Sequence, residues 1–132
     1  MTAEEYLRRI RKIDALLINK VEEYERCVGM AQGLGDMSVA ERVKSSRNLQ
    51  QIPNAIAKYI DIEREIEDLR NERESIIRTI EKLPLTEYNV VYSIYVAGLT
   101  HKEIAFKYDR SYEWVKIWKR KALERIEEFI SE

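Results

Sequence analysis

One cysteine, one histidine, two prolines and four glycines are all that this 132-residue chain holds of those types. The lone Cys27 excludes an internal disulfide. With His101 far from it in sequence, there is neither the ligand cluster of a metal site nor a nucleophile and base pair, and no cofactor is expected. No glycine-rich phosphate loop follows a strand, because strand-like alternation is missing. The carboxylates are spread over solvated helix faces, so the chain is expected not to be an enzyme. No apolar run reaches the ~18 residues of a membrane helix, and Met1 to Glu5 leads directly into a charged amphipathic segment rather than a secretion signal. A cytoplasmic protein without a membrane partner is the expectation. A net charge of −1 also means that attraction for a polyanion must come from one local face.

What the chain does hold is 45% hydrophobic and 36% charged residues, the balance of a globular chain of one or two small domains. The fold class is all-α, an amino-terminal helical hairpin followed by a helix-turn-helix. Tyr6, Ile10, Ile13, Leu17, Val21, Tyr24 and Val28 recur at three- and four-residue spacing and predict a first helix over about 3–28 with one buried stripe. Gly29, Gly33 and Gly35 then predict a break, with a connection over about 29–52 that holds at most a short helix at Val39 to Lys44. A second helix runs from near Pro53 to Leu83. Ile52, Tyr59, Ile66, Arg73 and Ile80 fall every seven residues, as do Ala55, Ile62, Leu69, Ile76 and Leu83, the seam of a coiled coil. Arg73 interrupts it and needs solvent or an acid such as Glu72 or Glu74. Ile56, Ile60 and Ile77 widen the stripe beyond what one partner helix covers, which predicts a hairpin that forms a homodimer through its long helices. Residues 1–84 form this region and 85–132 a second domain.

That second domain opens with a helix over Thr86 to Ala97, capped by Thr86, with Val90, Val91, Ile94 and Tyr95 facing inward. Tyr88 and Tyr92 stay open between core packing and phosphate contact. Gly98 suits the positive φ that ends a helix. Thr100 and Glu103 have the T-x-x-E spacing of a capping box, so a helix starts there. Tyr108, Asp109 and Arg110 make a short turn, and Ser111 caps the next helix. Its apolar stripe is Val115, Trp118, Ala122, Leu123, Ile126 and Ile130, with Trp114 expected to stay partly exposed. From Arg110 to Lys121 five basic residues (Arg110, Lys116, Lys119, Arg120, Lys121) face one acid (Glu113), a local +4. This is a helix-turn-helix with its basicity on the second helix, which makes double-stranded DNA the first candidate partner.

Residues Leu83 to Ile126 resemble the fourth region of bacterial RNA polymerase sigma factors. The resemblance is carried by Gly98-Leu99-Thr100, Glu103-Ile104-Ala105, Ser111, Glu113, Val115-Lys116 and Lys121-Ala122-Leu123. Through Met1 to Leu7, Arg42 to Ser46 and Ile60 to Ile66, the whole chain is similar to short phage and prophage proteins of Firmicutes with a sigma-like tail, akin to ArpU-type regulators. The sigma pattern implies base-edge contacts from Tyr112, Glu113, Lys116 and Ile117, with Glu113 accepting from a cytosine amino group. Tyr112, Ile117 and Asp109 depart from the Arg, Gln and Gly usual there. Sigma-like docking on a different target sequence is therefore expected. Thr100, His101 and Lys102 lie where a phosphate would pass, and with Arg110, Ser111, Lys119 and Arg120 they complete the candidate DNA-contacting set.

Three readings follow. The preferred one is a phage or prophage transcription regulator that binds promoter DNA, with host RNA polymerase as a second partner. Beside it stand a small terminase-like packaging subunit, and an interaction protein that binds RNA polymerase or a sigma factor without reading DNA.

Overall fold

The structure, a computed structural model, describes residues 1–35 and 51–131. Its elements are α1 (Ala3–Gly35), α2 (Gln51–Glu81), α3 (Leu85–Val91, continued by a π-helical turn over Tyr92–Val96), α4 (His101–Lys107) and α5 (Tyr112–Ser131). The described residues contain no strand, in keeping with the all-α pattern.

The long helices differ from expectation on both sides of the connection between them. The helix does not break at Gly29 but runs through it to Gly35; a glycine inside a helix costs only about 1 kcal/mol relative to alanine, too little to stop a helix of this length. At the other end α2 begins at Gln51, ahead of Pro53. Proline is tolerated there because a first-turn amide has no carbonyl to meet. The short helix expected at Val39 to Lys44 lies outside the described residues, as do the side chains of Ile52 and Ala55.

The chain divides into two compact units, Ala15–Arg70 and Met1–Asp14 with Asn71–Glu132. In the first, α1 and α2 run antiparallel around Cys27, Ile62 and Ile66, with Leu17, Val21, Tyr24 and Tyr59 packed against them. The Tyr24 and Tyr59 rings stack at 4.7 Å and their hydroxyls lie 2.8 Å apart. Lys20 pairs with Glu65, and Lys58 with Glu23 at 3.1 Å. These exposed pairs fix register more than they add stability.

In the second unit Leu7, Ile10 and Ile13 of α1 are fully buried, as is Ile80 of α2, with Ile76 and Leu83 nearly so. Each such side chain contributes about 1.5–3 kcal/mol through removal from water. The Tyr6 hydroxyl lies 3.0 Å from that of Thr79. Arg9 donates twice to Glu72, at 2.6 and 3.2 Å. Arg73 takes neither acid beside it on its own helix. It crosses to Asp14 of α1 at 2.7 Å, since side chains adjacent in a helix point to different sides; Glu72 pairs with Arg9 and Glu74 with Arg78.

Beyond Leu83 the unit becomes a bundle of short helices. Pro84, not Thr86, stands at the cap of α3, with no side-chain cap bond. Its fixed φ of −54° starts the helix, and its carbonyl accepts the Tyr88 amide at 2.8 Å. Glu87 is 2% exposed and takes both Arg125 donors, at 2.8 and 3.2 Å, which ties α3 to α5. A bidentate pair of this kind fixes angle as well as distance.

Candidate nucleic-acid interface

The interface is built outward from three side chains. Val90 of α3, Ile104 of α4 and Val115 of α5 are fully buried against one another, ringed by Ile94, Leu99, Ala105, Tyr108, Trp114 and Trp118. This cluster sets the angle between α4 and α5, and therefore which side chains point outward together.

Local chemistry sets where each helix starts and stops. The π turn closes with the Ala97 amide on the Tyr92 carbonyl at 3.0 Å, and Gly98 follows at φ 73°. The Thr100 hydroxyl accepts the Glu103 amide at 3.2 Å, while a Glu103 carboxylate oxygen accepts the Thr100 amide at 3.3 Å. Both arms of the capping box are made. Asp109 takes φ 51°, and the Arg110 amide returns to the Ala105 carbonyl at 2.9 Å. This is the left-handed helix stop that glycine usually supplies, here made with a short polar residue that tolerates it. The Ser111 hydroxyl then accepts the Trp114 amide at 3.0 Å.

On the outer side, Glu113, Lys116 and Arg120 are exposed, with Tyr112 at 41% and Ile117 at 43%. The Lys116 ammonium lies 4.7 Å from the Tyr112 ring centre, and the His101 ring meets Tyr112 edge-on at 5.6 Å. The Arg110 guanidinium covers Trp114 at 5.6 Å. Such cation–π contacts hold a charge in place while leaving it solvated. His101, Tyr112 and Lys116, expected to act near DNA, are thus brought together. Thr100 and Ser111 are exposed but spend their hydroxyls on caps. Lys102 is exposed on α4. Lys119 is half-buried and faces Glu4 of α1 at 3.9 Å. Burial, with Lys119 and Lys116 nearby, holds the His101 imidazole below its ordinary pKa.

Two features were not legible in the sequence. Phe106 of α4 is 91% exposed. Arg8 and Arg11 of α1 line a cleft together with His101 and Lys119. The signal for the second was the basic run Arg8-Arg9-Ile10-Arg11-Lys12, which reads in isolation as an ordinary solvated helix face. Tyr95 and Trp118 pack as expected, Tyr95 at 4% exposure and Trp118 against the cluster, with Trp114 half-buried beside it. Tyr92 stands 39% exposed. Among the described residues no group of three or more His, Cys, Asp or Glu side chains could hold a metal ion. No described helix is long and apolar enough to cross a membrane.

The family described as Sigma-70, region 4 matches residues 79–128, so that helix-turn-helix domain is present from the last turn of α2 through most of α5. A domain of this kind suggests DNA binding and a role connected with transcription. No curated protein and no solved structure matches the chain.

Proposed function

We propose that the chain is a phage or prophage transcription regulator, without catalytic activity, that acts in the cytoplasm and docks α5 in the major groove of promoter DNA. One observation carries the reading: a capped α4, a left-handed turn at Asp109 and a capped α5 occur inside the region 4 match, with Lys116 and Arg120 exposed on the outer face. In this docking Tyr112, Glu113, Lys116 and Ile117 meet base edges, and Arg110 and Lys119 meet phosphates. Ile117 supports a contact to a thymine methyl, which a polar residue there would not make.

Phe106 supports a second contact, to host RNA polymerase. An aromatic side chain 91% exposed beside the turn suits a protein surface rather than a phosphate. The exposed Ile56 and Ile60, one turn apart on α2, support pairing of two copies through the long helices.

The test is selection of bound sequences from a random duplex pool at two salt concentrations, by the wild type and by a Lys116→Glu, Arg120→Glu variant. An enriched motif that the variant loses is the expected result, and a two-fold symmetric motif is expected of a dimer. Lys116→Ala should then weaken binding to that motif by ~1–3 kcal/mol. Absence of enrichment and of salt-sensitive binding in the wild type would sink the DNA reading. RNA polymerase would then be the partner to test.

A further inference from the structure

We propose that the amino-terminal turns of α1 belong to the DNA interface, with Arg8 and Arg11 contacting backbone phosphates beside His101 and Lys119. The inference rests on the DNA reading above and extends it to residues outside the region 4 match.

A Cβ on Gly98 would collide with the Arg11 guanidinium, so Arg11 lies against the backbone that leads into α4. Arg8 is one turn earlier on the same helix, and its side chain is 71% exposed. Arg8, Arg11, His101 and Lys119 line one open cleft of about 340 Å³. His101 and Lys119 also line the neighbouring cleft with Lys116 and Arg120. His101 and Lys119 are common to both clefts, so cationic side chains extend from the recognition helix onto α1, with Glu4 standing between Arg8 and Lys119.

Further along α5 the surface turns acidic at Glu124 and Glu127. A phosphate backbone leaving Lys116 and Arg120 would meet repulsion in that direction. Beside Arg8 and Arg11 the acid in the cleft is Glu4, engaged by Arg8 at 2.8 Å and by Lys119 at 3.9 Å, while Glu127 accepts the Ala3 amide at the very start of α1. Guanidinium groups suit the task because their planar fork matches two phosphate oxygens at once.

The experiment uses the full chain and a duplex carrying the selected motif, with affinity measured over a salt series. Arg8→Gln, Arg11→Gln keeps the helix and the aliphatic stems while removing both charges. It should lower the slope of log affinity against log salt by ~0.9 for each phosphate no longer neutralised, with affinity falling about five- to tenfold per arginine at 0.1 M salt. Arg64→Gln, Arg70→Gln removes the same charge from exposed positions of the other unit and should leave the slope unchanged. In the wild type, DNA should protect Arg8 and Arg11 from phenylglyoxal, read by mass spectrometry, which needs no variant to fold. An unchanged slope in the Arg8, Arg11 variant, an equal loss in the control pair, or unprotected arginines would each overturn the inference while leaving the DNA reading in place. A wild type that shows no salt-dependent binding overturns both.

Discussion

His101 is the residue whose protonation reports most directly on how this face is packed. Its neighbours are Lys116 and Lys119 on α5 and Arg8, Arg11 and Glu4 on α1. Burial and the two lysines hold its pKa below 6.5, so the unfolded chain takes up the proton first as pH falls. Stability is then level above that value and drops as pH falls from about 6.5 through the folded pKa. Glu72 follows at lower pH. The Arg9 hydrogen bond holds its carboxyl below 4.5, so its contribution is present above 4.5 and lost as pH falls through the folded value. Urea unfolding from pH 7 down to about pH 2 should show both declines. His101→Gln should remove the upper one and Glu72→Gln reduce the lower; a His101→Gln curve that overlays the wild type would refute the burial of this imidazole near the two lysine charges.

At the scale of elements, the helix ends around α4 are where sequence and structure agree most closely. Thr100 and Glu103 are three residues apart, and the capping box they form involves no other part of the chain. Among the described residues Gly98 and Asp109 take positive φ, at 73° and 51°. Gly98→Ala should cost about 1–2 kcal/mol from the left-handed conformation alone, because the colliding Arg11 tip can swing aside at little cost. Thermal unfolding of Gly98→Ala with and without Arg11→Ala checks this: similar drops in Tm are expected. A much smaller drop in the Arg11→Ala background would instead show that the collision dominates. The start of α3 was not legible in the same way. Thr86 is a good cap residue, yet the fixed φ of Pro84 begins the helix sooner. Nor did the sequence signal the π turn over Tyr92–Val96, within which Ser93 and Tyr95 are both buried; a local change from i→i+4 to i→i+5 bonding leaves no pattern of its own in the residue types.

For the molecule as a whole, the consequential fact is that residues 1–14 pack in one unit with the helix-turn-helix. Ala3 donates its amide to Glu127 at 3.2 Å, and Leu7 is fully buried. Leu7→Ala should therefore destabilise the unit that holds the helix-turn-helix, by ~2–5 kcal/mol as large-to-small core changes do. Both tryptophans, Trp114 and Trp118, lie on α5, so their fluorescence follows that unit during denaturation. A lower midpoint in the fluorescence trace is expected. A midpoint that stays put while helical circular dichroism falls would separate α1 from this core.

What the sequence determined by itself was everything written in short-range chemistry. Apolar stripes at three- and four-residue spacing, the capping box, the turn with its left-handed Asp109 and the basic second helix all depend on residues within about a turn of each other. Tertiary structure alone decided the pairings that join distant segments. Arg73 met Asp14 rather than its neighbours, and Glu87 was buried under Arg125. Arg11 came to rest against Gly98. A charged side chain on an amphipathic helix has many possible partners, and which one it reaches depends on register and packing angle, set by the whole buried surface rather than by any local pattern.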